Sequence, residues 1–198
     1  MHRRPGWFKE RHVRRLVATE FLSVDALMNS PGEWQEPYFD ENLGNEMAGI
    51  MAGADAMLLG RVTYEEFASF WSRRSLEDDP GADFMNNTPK YVVSTTLNAV
   101  DWSNSTLIKG DLADEVGKLK RQDGKDLLLM GSGGLLRSLL AMGLVDELRL
   151  QIHPIILGRG KPLFDASNAM SPLALTDSKV FGRGVLALTY RPAQSAGA

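Results

Sequence analysis

Apolar positions along the chain alternate between strand-like and helix-like spacing, the pattern of an α/β sheet. Arg15–Leu22 reads as a first strand. Asp40 then stands as a helix N-cap, with Leu43, Met47 and Ile50 on one face and Gly53 as a stop. Ala56–Gly60 is a short buried strand, and a helix runs from Thr63 to about Phe70. Tyr91–Thr95 and Thr106–Lys109 are the next strands, and Leu112–Lys120 places Leu112, Val116 and Leu119 on one helical face. A buried strand, Asp126–Met130, leads into a helix over Leu135–Met142 that Gly143 ends, and Glu147–His153 is again a strand. Leu173–Val180 and Val185–Tyr190 close the chain as an antiparallel pair joined through Gly182 and Gly184. That late hairpin cannot belong to an all-parallel sheet, so one domain with a mixed sheet is expected. Ser72–Asn87, polar, acidic and proline-containing, reads as a loop.

Three of the strand ends share a residue chemistry. Ala56–Gly60 runs into Arg61-Val62-Thr63, Tyr91–Val93 into Ser94-Thr95-Thr96, and Leu127–Met130 into Gly131-Ser132-Gly133-Gly134. Open α/β sheets bind ligands beyond the carboxyl ends of their strands, and glycines, hydroxyls and an arginine are the residue types that hold phosphates. Thr63-Tyr64-Glu65-Glu66 has the capping-box pattern, which puts Arg61 just before a helix N-terminus, where the dipole favours an anion. A capped helix carrying a surface arginine is the competing reading. The glycine run lets backbone approach a pyrophosphate, with Gly133 or Gly134 expected at positive φ. It is not the GxGxxG fingerprint, since Leu136 stands at the last glycine's place, and a tight structural turn explains it equally well alone. Asp25 follows the first strand, either facing the same cleft or as a turn aspartate. His153, next to Pro154, reads as structural.

Composition narrows the function classes. At 198 residues, 43% apolar and 24% charged, the chain suits one globular domain. It has no cysteine, which removes disulfides, thiolate catalysis and cysteine-ligated zinc. With only His2, His12 and His153, no metal site is expected. Ser132 lacks the G-x-S-x-G context of a hydrolase nucleophile. Six of the 22 basic residues fall in the first 15 positions against one acid, leaving 16 bases and 24 acids, a net −8, in the rest. An acidic body is a poor nucleic-acid partner, and no apolar run approaches a membrane span. The basic start, residues 1–13, reads as a solvated extension, 14–192 as the single domain and 193–198 as a tail.

The ordered segments Glu20-Phe21-Leu22-Ser23-Val24-Asp25, Leu58-Leu59-Gly60-Arg61-Val62-Thr63-Tyr64-Glu65, Val92-Val93-Ser94-Thr95, Met130-Gly131-Ser132-Gly133-Gly134-Leu135, Gly143-Leu144-Val145-Asp146-Glu147-Leu148 and His153-Pro154-Ile155-Ile156-Leu157-Gly158-Arg159-Gly160 resemble the dihydrofolate-reductase-like superfamily. Within it they are similar to the reductase (C-terminal) domain of the riboflavin biosynthesis protein RibD, in standalone form. The resemblance runs from about Arg14 to Arg191. It implies a three-layer α/β/α fold with a mixed central sheet, NADPH as cofactor, a small-molecule substrate, a homodimer and a cytoplasmic location. Gly60, Arg61 and Thr63 would then hold phosphates, Ser94 and Thr95 the ribose 2′-phosphate, and Gly131, Ser132, Gly133, Gly134 and Leu135 the pyrophosphate. Phe21–Met28 would line the nicotinamide and substrate, Phe21 and Gln151 would face the substrate, and Asp25 or Asp40 would assist protonation. The implied reaction is hydride transfer to a pyrimidine- or pterin-like acceptor, similar to 5-amino-6-(5-phosphoribosylamino)uracil reductase. A dihydrofolate-type reductase of another substrate and a non-catalytic NADPH-binding module are the alternatives. One departure is local: relatives often read Asp-Gly after the first strand, and here Ala26 replaces the glycine.

Overall fold

A computed structural model describes residues 13–166 and 170–193; the basic start up to residue 12 and the tail from 194 lie outside the described residues. Eight strands form one sheet in the order β4-β3-β2-β5-β1-β6-β8-β7. They are β1 (Leu16–Ser23), β2 (Ala54–Gly60), β3 (Lys90–Val93), β4 (Ser105–Ile108), β5 (Asp126–Met130), β6 (Glu147–His153), β7 (Leu173–Val180) and β8 (Leu186–Pro192). Pairings from β4 through β6 are parallel, whereas β8 runs antiparallel to both β6 and β7. The sheet is therefore mixed, with the late hairpin at one edge as expected.

The helices are α1 (Pro31–Trp34), α2 (Glu41–Ala52), α3 (Arg61–Trp71), α4 (Ala82–Asn87), α5 (Leu112–Lys120) and α6 (Gly133–Ala141), with a 3₁₀ turn at Glu36–Tyr38. Side chains alternate across each strand, so β1 divides its residues between two cores. Leu16, Ala18 and Leu22 pack with Leu127 and Leu129 of β5 beneath Val116 and Leu119 of α5 and Leu136 and Leu139 of α6. Val17 and Leu128 lie on the opposite face against Met47 and Ile50 of α2, with Tyr64 of α3 and Met85 of α4 continuing that layer. The result is helix, sheet, helix. A strand covered on both faces reads as an unbroken apolar run, which is why Leu127, Leu128 and Leu129 are all essentially inaccessible.

Two local expectations are corrected and two short elements are added. Ser72–Asn87 is not wholly loop: its last six residues form α4, which buries Ala82 and Met85. The short α1 and the 3₁₀ turn carry no sequence periodicity because Trp34 is the only residue they bury. Asp40 does cap α2, accepting from the Leu43 amide at 2.9 Å. The Thr63–Glu66 capping box, however, does not form, since α3 begins at Arg61 straight after Gly60 and has no side-chain cap. No helix among the described residues is long and apolar enough to cross a membrane.

Candidate functional site at the strand ends

Parallel neighbours end on the same edge of a sheet, and β3, β2, β5 and β1 are consecutive neighbours. The three segments singled out in the sequence are thereby brought side by side. Gly60 closes β2, and its amide donates to Ser132 Oγ at 2.9 Å. This bond ties the end of β2 to the turn after β5 and explains the abrupt start of α3, where Thr63 is buried in the first turn rather than capping it. A Cβ at Gly131 would lie 3.3 Å from Thr63 Cγ2, so Thr63 packs the turn from the α3 side.

The positive φ values of the glycine run fall at Gly131 (59°) and Ser132 (64°), not at Gly133 or Gly134. Two consecutive left-handed residues reverse the chain so that α6 starts at Gly133. The Gly131 amide donates to the Thr19 carbonyl of β1 at 3.2 Å. A Cβ on Gly133 would collide with Met28 Sδ, whereas one on Gly134 would meet nothing within 4 Å. Gly133 is thus a packing glycine, and the open backbone is at Gly134. The first amides of a helix have no partner inside it, so this turn has the form of an anion cradle.

Arg61 is about half exposed and pairs with Glu65 one turn on, at 2.8 Å. Ser94 is buried, and its Oγ accepts from the amides of Thr96 and Leu97 at 3.1 and 3.0 Å. Its hydroxyl shapes the loop, and the neighbouring Thr95 is the exposed one. Leu135 is half-buried, its Cβ 3.7 Å from where a Gly60 Cβ would stand.

Beyond β1, residues 24–29 dock onto residues 155–163. Leu27 and Pro162 form an antiparallel bridge, the Met28 amide donates to the Lys161 carbonyl and the Leu163 amide to Ala26. Asp25 accepts from the amides of Leu157 (3.2 Å) and Gly158 (2.8 Å). The Ser23 hydroxyl, followed by the Gly158 and Leu157 amides, holds its carboxyl down to about 2. Ala26 keeps the left-handed conformation, φ 60°, that a glycine would adopt freely.

Residues 14–187 match the RibD C-terminal domain family. The chain belongs to that family. The uncharacterized protein YyaP of Bacillus subtilis (strain 168) is 30% identical over 183 residues, spanning 89% of this chain and 94% of YyaP. Among solved structures, a putative riboflavin biosynthesis protein from Shewanella sp. PV-4 superposes with a TM-score of 0.73 at 21% identity, covering 91% of this chain and 99% of that one. Dihydrofolate reductase from Enterococcus faecalis, complexed with NADP(H), gives 0.60 at 12% identity over 91% and 97% of the two chains. The fold is therefore dihydrofolate-reductase-like, as the sequence implied.

Within this RibD-type domain the two aspartates read as proton donors are differently employed. Asp25 clamps a loop, its carboxylate accepting from backbone amides more than 130 positions away. Asp40 is a half-buried helix cap. Phe21 and Gln151 do lie on one face, as register partners on β1 and β6. Gln151 is buried and accepts from Thr19 Oγ1 at 3.1 Å. Sequence reasoning passed over Glu20 and Trp34 and set His153 aside. Glu20 is 3% exposed on central β1, with Oε1 lacking any hydrogen-bond partner in the described protein. Its signal was available: an acid at a position whose i±2 neighbours, Ala18 and Leu22, are core.

Proposed function

We propose that this protein is an NADPH-dependent reductase delivering a hydride to a pyrimidine- or pterin-like acceptor, similar to 5-amino-6-(5-phosphoribosylamino)uracil reductase. The observation that carries the reading is the junction of β2, β3 and β5: a left-handed Gly131–Ser132 turn leading into α6 with open backbone at Gly134, flanked by Arg61 and Thr95. These groups fit a dinucleotide. Gly131 to Leu135 would hold the pyrophosphate, and Gly60 and Thr63 support that turn from the side. Arg61 and Thr95, with Ser94 shaping the loop, would hold the 2′-phosphate that distinguishes NADPH from NADH. NADPH supplies the hydride when bound, and the protein's task is to bind, orient and exclude water. The reading takes the protein as cytoplasmic and as a homodimer, the commonest closed assembly; light scattering at micromolar concentration checks the latter.

A test separates cradle from turn. Gly134→Val should fold like the parent yet lose the NADPH-induced rise in melting midpoint, because a ligand bound only to the folded state raises that midpoint. Arg61→Ala should weaken NADPH more than NADH by calorimetry. A full NADPH shift in Gly134→Val, or equal binding of the two cofactors by the parent, would refute the assignment. A non-catalytic NADPH-binding module is the second reading, favoured by Asp25 being ionised and Asp40 serving as a cap. Oxidation of NADPH by 5,6-diaminouracil-type or pterin-type acceptors, read as loss of nicotinamide absorbance, discriminates the two.

A further inference from the structure

His153 is wholly buried at the end of β6, yet half of its hydrogen-bonding capacity is unused. Nδ1 lies 3.0 Å from the Gln151 carbonyl and 3.3 Å from the Leu22 carbonyl. Carbonyl oxygens only accept, so Nδ1 carries the proton. Burial holds the ring's pKa down, only partly opposed by those two carbonyls, so the imidazole is neutral. In a neutral ring with Nδ1 protonated, Nε2 is a bare acceptor. Nε2 has no partner in the described protein. Because Nδ1 faces the backbone of β6 and β1, Nε2 on the far edge of the ring points away from the sheet.

The imidazole ring itself is packed by aromatics. Phe21, Trp34 and Tyr38 each meet the imidazole edge-on, with centroids at 5.6, 5.1 and 6.0 Å and interplanar angles of 76–80°. A fixed, unpartnered acceptor on a ring packed among aromatics is suited to a flat heterocycle bearing an N–H or amino donor once the aromatic cover opens. Phe21 and His153 share their face of the sheet with Gln151, by the alternation along β1 and β6. The cover of the box is the segment from Pro31 to Tyr38, two short turns. Trp34 Nε1 anchors it to the Asn29 carbonyl at 2.9 Å, and Arg183 reaches the Pro37 carbonyl at 3.4 Å. Lifting it exposes Trp34, which is buried in the closed form.

We propose that His153 Nε2, boxed by Phe21, Trp34 and Tyr38, is the specificity-determining acceptor for an N–H donor of a planar heterocyclic substrate, admitted when the Pro31–Tyr38 segment lifts. The proposal rests on the reductase reading and adds to it the group that recognises the acceptor ring. Its test uses full-length protein with ¹⁵N-labelled histidine, saturated with NADP⁺, and two probes, 5,6-diaminouracil and pterin. Long-range ¹H–¹⁵N spectra should show His153 as the Nδ1–H tautomer with an unprotonated Nε2. Binding of a probe should move that Nε2 resonance upfield. His153→Phe, which keeps a flat ring and removes the acceptor, should weaken the probe about tenfold, the loss of one hydrogen bond, with NADPH affinity unchanged. An Nε2 resonance unmoved by a probe that binds overturns the proposal, and this holds even if the variant misfolds. Binding of neither probe by a protein that still binds NADPH also overturns it, leaving the reductase reading intact. Failure to bind NADPH at all overturns that reading itself.

Discussion

Replacing Glu20 with glutamine should change how stability depends on pH more than any other single substitution on β1. The side chain shares the face of Leu16, Ala18 and Leu22, is 3% exposed, and leaves Oε1 without a partner. Burial pushes its carboxyl from 4.5 up to about 8, with the charge of Lys161 pulling the other way. Between those two values the folded chain keeps a proton that the unfolded chain has released, so stability must fall as pH rises. For one carboxyl titrating at 4.5 unfolded and about 8 folded, the loss between pH 5 and 8 is about 3.5 kcal/mol, or roughly 1.4 kcal/mol per unit mid-range. A loss of that size is a large part of a typical domain's total. His153 works in the opposite sense: its lowered pKa makes stability rise with pH below about 6.5. The parent's curve is the sum, and the difference between parent and Glu20→Gln isolates the carboxyl. Glutamine mimics the protonated acid in shape, so the two should be closest near pH 5, with the variant gaining steadily on the parent up to pH 8. Urea denaturation at pH 5, 6, 7, 8 and 9 measures this directly. Parallel curves for the two proteins across that range would refute the reasoning, because they would mean that Glu20 ionises in the folded protein as it does in water.

Ala26→Gly should stabilise the protein by about 1 kcal/mol, relieving a left-handed alanine against the added chain entropy of glycine; a loss in urea denaturation would show that the methyl group supports the loop. Lys90→Met should cost roughly 2–4 kcal/mol by the same measurement, since the wholly buried ammonium donates to the carbonyls of Met85, Asn86 and Thr88 and lies over the Trp102 ring. A cost below the error of the measurement would mean that these carbonyls find other donors. Glu147 is buried among Arg15, Arg149 and Arg191; burial pushes its carboxyl up, but the arginines outweigh it and the net shift is downward. Its stabilisation is therefore present above the ordinary carboxylate range and lost as pH falls through it. Glu147→Gln should cost several kcal/mol at pH 7, on the order of 3, and progressively less below pH 4; an undiminished cost at pH 3 would contradict the ion-pair account.

What could be read from the chain and what could not divide along sequence distance. The strands, the mixed sheet and the three candidate strand ends were legible because each is written in a few adjacent residues: an apolar run such as Leu127 to Met130, then the glycines that let the backbone turn. The sheet itself only had to make those ends neighbours. The errors arose where a residue's partner lies far away. Thr63 has the local pattern of a cap, but Gly60, three positions earlier, is already fixed by Ser132, 72 positions on, and the helix starts without it. For Asp25, where the sequence left a cleft acid and a turn aspartate both open, the loop amides of Leu157 and Gly158 that hold its oxygens lie equally far off. α4 was hidden in an acidic segment because only Ala82 and Met85 reach the core. His153 shows the same limit of local reading. Next to a proline at a strand end it is an unremarkable structural histidine, and its own strand satisfies one nitrogen. Only folding brings Phe21, Trp34 and Tyr38 against its ring. A cofactor cradle is backbone chemistry and announces itself in glycine. A substrate pocket is assembled from side chains of separate elements, so no short motif can announce it.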